Sequence, residues 1–207
     1  MFKLEHITKQ FSDQYVLQDF SFEILQGEKI IVSGRSGIGK TTLFRLLLGF
    51  EQPDNGNLFF EDQLLTETNI WDLRRRVAYV SQDLNIGRGN LQAFFNETLS
   101  LKANINHKTD SLSRLTELMA YFELPDSLLL KNIEELSGGE KQRVAIINAL
   151  LLKRDIFLLD EITSALDKSL KIKVLDYFLL NPDFTVLLIS HDNYVPENAQ
   201  TRILKLD

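Results

Sequence analysis

The 207-residue sequence contains no cysteine, and this absence excludes several classes of site at once. Without thiols the chain cannot form a disulfide framework, a thiolate zinc site or an iron–sulfur site, and it cannot use a cysteine nucleophile. A chain without thiols suits a reducing compartment. Any chemistry must therefore depend on side chains that carry oxygen and nitrogen.

The sequence also lacks long apolar runs. Its most apolar stretches, such as Leu46–Leu48 and Ile156–Leu159, are far shorter than the roughly 20 residues that a transmembrane helix needs. The opening letters MFKLEH place charged residues where the apolar core of a signal peptide would lie. If the protein serves a membrane, we expect another polypeptide to provide the span.

An excess of positive charge is missing as well. The net charge is −6 and the isoelectric point is near 5.2, so no overall basic field attracts nucleic acid and no nucleic-acid partner is expected. The one dense basic patch, Arg74–Arg76, is predicted to be a solvated face beside the strand that follows it. Hydrophobic residues (44%) and charged residues (25%) occur at the levels of an ordinary globular domain.

Apolar strands alternate with helices along most of the chain, which predicts a parallel sheet covered on both faces. The stretch Leu84–Leu136 differs, because it has no strand signals and is predicted to form helical pieces broken at Pro125. The remaining predicted elements are strands at Phe20–Ile24, Ile30–Val32, Val77–Ser81, Ile156–Leu159, Thr185–Ile189 and Ile203–Leu206, a turn at Pro53–Gly56, and helices at Thr41–Leu48, Gly139–Leu152 and Asp167–Leu180.

A glycine-rich loop after the strand Ile30–Val32 fits the phosphate-binding pattern G-x-x-x-x-G-K-[ST]. Glycines permit close approach of the backbone, and consecutive N–H groups at a helix N-terminus can cradle a polyphosphate. Lys40 is predicted to reach the β- and γ-phosphates of ATP, and Thr41 to bind Mg²⁺. The predicted ATP-binding residues here are Gly34, Arg35, Ser36, Gly37, Ile38, Gly39, Lys40, Thr41 and Thr42.

Two acidic residues, Asp160 and Glu161, directly follow the buried strand Ile156–Leu159. The carboxyl ends of parallel strands are where open α/β sheets bind ligands. Asp160 is therefore predicted to hold the magnesium ion, and Glu161 to polarise an attacking water. Two acids that merely cap a strand at the surface are the alternative, and the phosphate loop favours the catalytic interpretation.

The segment Leu136–Arg143 reads LSGGEKQR. Ser137 and Glu140 have the S-x-x-E spacing of a capping box at a helix start, and Gly138 and Gly139 leave space for a phosphate. With the phosphate loop before it and the acid-tipped strand after it, the whole chain resembles the ABC ATPase family, and within it the ATP-binding subunit of a bacterial iron or metal exporter.

This resemblance implies a fold class, an α/β P-loop NTPase core of the ABC ATPase type with an N-terminal antiparallel β-subdomain and an inserted helical subdomain. It further implies one nucleotide-binding domain over residues 1–207, with the helical subdomain at about 84–136.

The resemblance also assigns roles to residues outside these patterns. Gln82 matches the glutamine that senses magnesium and contacts a membrane partner, and His191 matches the switch histidine near the γ-phosphate. Ser164–Asp167 matches the loop that reports across a dimer. The catalytic set implied by the family is therefore Lys40, Gln82, Glu161 and His191, with Thr41, Gln82 and Asp160 around Mg²⁺ and with Ser137, Gly138, Gly139 and Glu140 contacting ATP.

The sequence departs from the family pattern at two places. Phe11 has the spacing expected of the ring that stacks on adenine, where a tyrosine is commoner, and Tyr15 is a nearby rival. Ile162 stands where many relatives have a proline after the catalytic glutamate. We expect this change to alter the turn and not the chemistry.

The implied partners are a second copy of the chain and an integral-membrane permease on a separate polypeptide. A head-to-tail homodimer would enclose two Mg-ATP molecules at the cytoplasmic face of the cell membrane. Phe94 and Phe95 lie where the family docks its permease, although the same rings could simply fill a core. A soluble assembly ATPase of the iron–sulfur scaffold type is the alternative function.

Overall fold

Two β-sheets of different kinds organise the chain, for which a computed structural model describes residues 1–12, 14–84, 86–191 and 194–206. The first sheet is antiparallel and has the order β2-β1-β4-β5, whereas the second is parallel and has the order β6-β7-β8-β3-β9. The strands are β1 (Phe2–Phe11), β2 (Gln14–Ile24), β3 (Lys29–Ser33), β4 (Asn55–Phe60), β5 (Gln63–Leu64), β6 (Val77–Val80), β7 (Ile156–Asp160), β8 (Thr185–Ile189) and β9 (Thr201–Lys205).

Helices surround these sheets and fill the stretch between β6 and β7. Within the described ranges, no helix is long and apolar enough to cross a membrane. The α-helices are α1 (Lys40–Leu47), α2 (Ile70–Arg74), α3 (Leu91–Ser100), α4 (Lys108–Ser113), α5 (Leu115–Tyr121), α6 (Gly138–Leu151) and α7 (Lys168–Leu179), and short 3-10 helices cover Ile105–His107, Asp126–Leu130 and Ile133–Glu135.

Strand β7 shows why the parallel sheet is apolar on both faces. Successive side chains of a strand point to opposite faces, and all five residues of β7 are buried. Phe157 and Leu159 pack into a core with the helices that follow β6, whereas Ile156 and Leu158 pack into a second core with α1 and the antiparallel sheet. The predicted parallel sheet with two covered faces is confirmed, and β9 begins two residues earlier than predicted.

The predicted turn at Pro53–Gly56 is wrong for its last two residues, because Asn55 and Gly56 begin β4. Gly56 has a φ of +89°, and a Cβ placed on it would lie 2.4 Å from the carbonyl oxygens of both Glu5 and His6. The glycine therefore allows β4 to approach an irregular part of β1 that no side chain would tolerate.

The three consecutive arginines do not form the solvated face that was predicted. Arg74 donates hydrogen bonds to the carbonyl oxygens of Leu48 and Gly49, and its guanidinium lies 4.8 Å from the ring centroid of Phe50. Arg76 forms ion pairs with Glu61, just after β4, and with Asp155, just before β7. Only Arg75 is largely solvated.

Helix α3 divides its two adjacent phenylalanines between the core and the surface. The side chain of Asn90 caps the helix by accepting a hydrogen bond from the Ala93 N–H at 3.0 Å. Phe95 is completely buried, whereas Phe94 is only partly buried and packs against the edge of the same core. The core interpretation therefore holds for Phe95, and docking of a partner at Phe94 stays a prediction.

Replacing Phe95 with alanine should lower the free energy of unfolding by about 3–5 kcal/mol, because the change leaves a cavity in a closed core. Urea denaturation of the purified variant measures the loss. The matched variant Phe94→Ala, on the partly buried neighbour, should lose clearly less. Equal losses for the two variants would contradict this division of α3.

Candidate functional site

The predicted catalytic residues lie at one edge of the parallel sheet. The glycine-rich loop follows β3, Gln82 follows β6, Asp160 ends β7 and His191 follows β8. Because these four strands are parallel neighbours, their carboxyl ends meet at the same edge. Residues far apart in the sequence are thus brought together by the strand order alone.

The glycine-rich loop adopts backbone conformations that only glycine accepts readily. Gly37 has a φ of +79° and Gly39 a φ of +110°. A Cβ on Gly39 would lie 2.2 Å from a side-chain carbon of Val16, so β2 rests directly on the loop. The loop is therefore in direct contact with β2.

Lys40 begins α1 and is 7% exposed. Its ammonium group donates hydrogen bonds to the carbonyl oxygens of Gly34 and Arg35, each at 2.9 Å. These carbonyls hold the positive charge over the loop. Phosphate oxygens carry full negative charge and are stronger acceptors than carbonyls, so the ammonium group is well placed to bind a polyphosphate.

Thr41 and Asp160 form a direct pair between α1 and β7. The Thr41 hydroxyl donates to Oδ2 of Asp160 at 2.9 Å. Burial raises the pKa of Asp160, and the hydrogen bond from Thr41 acts against that rise. A hydroxyl beside a carboxylate provides the oxygen ligands that Mg²⁺ prefers, and a cation there would favour the charged carboxylate. The donor set therefore fits magnesium.

Glu161 is held from several directions. Its φ is +49°, a left-handed conformation that costs a non-glycine residue roughly 1–2 kcal/mol. Its N–H donates to the carbonyl of Ile189 at 2.9 Å. Nε2 of Gln82 donates to one carboxylate oxygen at 3.1 Å, and Nε2 of His191 lies 3.2 Å from the other. Two residues predicted from separate segments, Gln82 and His191, thus converge on the carboxylate of Glu161.

Ile162, where a proline was expected from the family pattern, is completely buried. Its side chain packs into the core shared with α6 and α7. Packing of this side chain thus anchors the turn after Glu161. The expectation that the chemistry is unaffected by this departure stays a prediction.

The LSGGEKQR segment forms the start of α6, and its predicted capping box is confirmed. The Glu140 N–H donates to the Ser137 hydroxyl at 3.3 Å, and the Ser137 N–H donates to the Glu140 carboxylate at 2.7 Å. That second hydrogen bond lowers the pKa of Glu140. A Cβ on Gly138 would meet nothing within 4 Å, whereas one on Gly139 would lie 2.9 Å from the carbonyl oxygen of Ala165. Gly138 faces open space, and Gly139 faces its own chain.

Two aromatic side chains stand at the tip of the β1–β2 hairpin. Phe11 is 44% exposed and Tyr15 is 53% exposed. Val16, which follows Tyr15, touches the phosphate loop at Gly39. Both rings therefore lie near that loop. The Lys9 ammonium group lies 5.2 Å from the centroid of the Phe11 ring. Both rings stay candidates for stacking on a base.

Sequence reasoning gave no role to Gln142, which is 1% exposed and contacts the segment after Glu161. Gln142 lies one turn before Ile146 and two turns before Leu150, both buried. A polar residue on the buried stripe of a helix was the available signal, since buried polar groups require partners.

Comparison with known proteins relates the chain to ATP-binding proteins of transporters. The family model described as "ABC transporter" matches residues 17–164. The probable iron export ATP-binding protein FetA of Escherichia coli K12 is 31% identical over 195 residues, covering 93% of this chain and 85% of that protein. The methionine import ATP-binding protein MetN of Francisella tularensis strain SCHU S4 is 33% identical over 217 residues, and this chain spans only 61% of its length.

A solved structure supports the same relationship. The dimeric post-hydrolysis state of an ATP-binding cassette, bound to ADP and phosphate, superposes with a TM-score of 0.81 at 25% sequence identity. The match covers 100% of this chain and 94% of that one. The fold class expected from the sequence is thereby confirmed.

Replacing Lys40 with alanine should weaken ATP binding by at least about tenfold, because a charge-assisted contact to phosphate is lost. Binding of a fluorescent ATP analogue, followed by titration, measures the change. Lys102→Ala, at an exposed lysine elsewhere, is the matched control and should bind normally. An unchanged dissociation constant for Lys40→Ala would remove Lys40 from the ATP site.

Proposed function

The chain belongs to the ABC transporter ATP-binding family, and on that basis we propose that it is the motor subunit of a transporter whose permease is a separate polypeptide. The chain is an ATPase that takes ATP with Mg²⁺. The observation that carries the proposal is the convergence of Gln82 and His191 on the Glu161 carboxylate, beside the Thr41–Asp160 pair.

Hydrolysis depends mostly on positioning and on stabilising charge. The glycine-rich loop and Lys40 bind the phosphates, while Gln82 and His191 orient the Glu161 carboxylate. Glu161 accepts a proton from water as the oxygen forms a bond to the γ-phosphorus, and the bond to ADP breaks. Thr41, Asp160 and Gln82 would hold Mg²⁺, which supplies positive charge to the phosphate oxygens.

A head-to-tail homodimer completes this site. The start of α6 presents free backbone N–H groups beside Gly138, and a helix N-terminus attracts anions. In the proposed dimer, Ser137–Glu140 of one subunit faces the phosphate loop of the other across ATP. The dimeric state of the similar cassette that holds ADP and phosphate supports this arrangement.

In the proposed motor subunit, residues 1–207 form one nucleotide-binding domain. Its helical subdomain, at about 84–136, transmits the opening and closing of the dimer to the permease. Association with the permease would place the chain on the cytoplasmic face of the membrane. Similarity to ATP-binding subunits of transporters supports the coupling to a permease and the location at the membrane.

A groove of about 270 Å³ is the proposed docking site for the permease. Its apolar lining includes Val80, Ile86 and Phe94. Ser81 and Asp83, the residues on either side of Gln82, line the same groove. A partner bound there would touch the segment that carries Gln82, and Gln82 contacts the catalytic carboxylate. Docking and hydrolysis would thereby influence each other.

Two classes of transported substrate are proposed from the relatives. Export of iron or another metal is the first candidate, because this chain spans 85% of the relative that is named for iron export. A relative of similar identity is named for methionine import. Transport assays with the chain and its permease in vesicles, using metal ions and methionine, separate these candidates.

Replacing Glu161 with glutamine should keep ATP binding and lower turnover by at least about 100-fold, because the amide cannot accept a proton from water. Phosphate release measures turnover, and size-exclusion chromatography with ATP should show accumulated dimer. Glu97→Gln, at an exposed glutamate of α3, serves as the control. Near-normal turnover in the Glu161 variant would contradict the role of Glu161 as the group that accepts the proton from water.

Replacing Phe94 with aspartate should release the chain from membranes without unfolding it, because a charge enters an apolar docking groove. The measurement is the amount of tagged chain recovered with detergent-solubilised membranes, with thermal unfolding as the check on folding. Leu180→Asp, an exposed apolar residue at the end of α7, should remain membrane-associated.

Two results would count against docking at this groove. If Phe94→Asp unfolds, the ring is a core residue and the groove is not the docking site. If the wild-type chain itself shows no membrane association, the soluble assembly ATPase becomes the better function.

A further inference from the structure

Helix α6 carries the side-chain amide of Gln142 among its buried residues, which are otherwise apolar. Both polar atoms of that amide are paired. Nε2 donates to the carbonyl oxygen of Glu161 at 3.2 Å and to the Ser164 hydroxyl at 3.3 Å. Oε1 accepts from the N–H of Ala165 at 3.0 Å. All three partners belong to the segment that follows β7, which we name the post-β7 segment (residues 161–165).

The contact of Gln142 with Glu161 is to the backbone of the residue proposed to activate water. The Glu161 carbonyl also accepts from the Ser164 N–H at 3.2 Å, and the Glu161 N–H donates to Ile189. Gln142 thus completes a set of hydrogen bonds around a peptide in a left-handed conformation. Such a conformation persists only where its surroundings hold it.

A second contact joins α6 to the same segment one turn earlier. Gly139 has no side chain, so the carbonyl of Ala165 can approach it closely. A Cβ on Gly139 would lie 2.9 Å from that carbonyl oxygen. The start of α6 and the post-β7 segment are therefore in backbone contact at Gly139 and hydrogen-bonded at Gln142. A displacement of the start of α6 must move the segment that carries Glu161.

From this geometry, and resting on the proposed head-to-tail dimer, we propose that Gln142 is a positioning residue that links the two ATP sites. The N-terminus of α6 contacts the ATP held mainly by the partner subunit, while the Gln142 amide holds the Glu161 backbone of its own subunit. Completion of one site would then set the position of the carboxylate in the other. Gln142 itself touches neither nucleotide.

The test uses the variant Gln142→Met, which keeps the side-chain length and removes all three hydrogen bonds. A small amount of active chain is mixed with a large excess of Glu161→Gln chain, so that each active chain has an inactive partner. In the cis arrangement the active chain carries Gln142→Met. In the trans arrangement the inactive partner carries it. Phosphate release gives kcat and KM for each mixture.

The cis arrangement should lower kcat by about 10- to 100-fold, as expected when a reacting group is displaced by about an ångström. The KM for ATP should stay within about twofold, because Gln142 touches neither nucleotide. The contacts that bind ATP equally in the ground state and the transition state are therefore kept. The trans arrangement should match the mixture without Gln142→Met. Gln92→Met, at an exposed glutamine of α3, should have no effect in either position.

Equal losses in cis and trans, or an increased KM that accounts for the whole loss, would overturn the proposal, because either result marks a general structural role. If Gln142→Met does not fold, Ser164→Ala removes one of the same hydrogen bonds from the exposed side. The proposal then requires its loss of kcat to be confined to the cis arrangement. The mixture of wild-type chain with excess Glu161→Gln chain must itself hydrolyse ATP. If it shows no turnover, the proposed dimer mechanism is overturned, and the linking role with it.

Discussion

Burial of β7 on both faces is the constraint on which the rest of the site depends. A strand covered on both sides carries charged residues at its ends and not along its middle. Asp155 precedes β7, and Asp160 and Glu161 occupy its carboxyl end. The glycine-rich loop, Gln82 and His191 follow the neighbouring strands β3, β6 and β8 at the same edge. The apolar middle of the sheet therefore leaves the reactive groups at the strand ends.

The sequence was most informative where a function needs consecutive residues. The phosphate loop, the acidic pair and the Ser137–Glu140 capping box are local patterns, and the structure forms the capping box as predicted. The alternation of strands and helices likewise predicted the parallel sheet. Local patterns report local hydrogen bonding and burial, so they can be recognised without knowing the fold.

Sequence reasoning was weaker where residues distant in the chain meet. The contacts of Gln82 and His191 with Glu161 depend on strand order, and only the family resemblance anticipated these residues. The partners of the arginines at 74 and 76, such as Asp155, lie far along the chain, so the sequence alone predicts solvated charges there. The different surroundings of Gly138 and Gly139 depend on where the post-β7 segment passes. No local pattern specifies these approaches.

The ion pairs of Arg76 with Glu61 and Asp155 have a mechanical consequence. Asp155 precedes β7, so this bridge fastens the antiparallel sheet to the parallel one at the end remote from the phosphate loop. Near that loop, β2 touches Gly39 through Val16. The two sheets are therefore joined by ion pairs at one end, and β2 contacts the phosphate loop at the other. A nucleotide base stacked on Phe11 or Tyr15 would lie against a sheet that is also fixed at its far end.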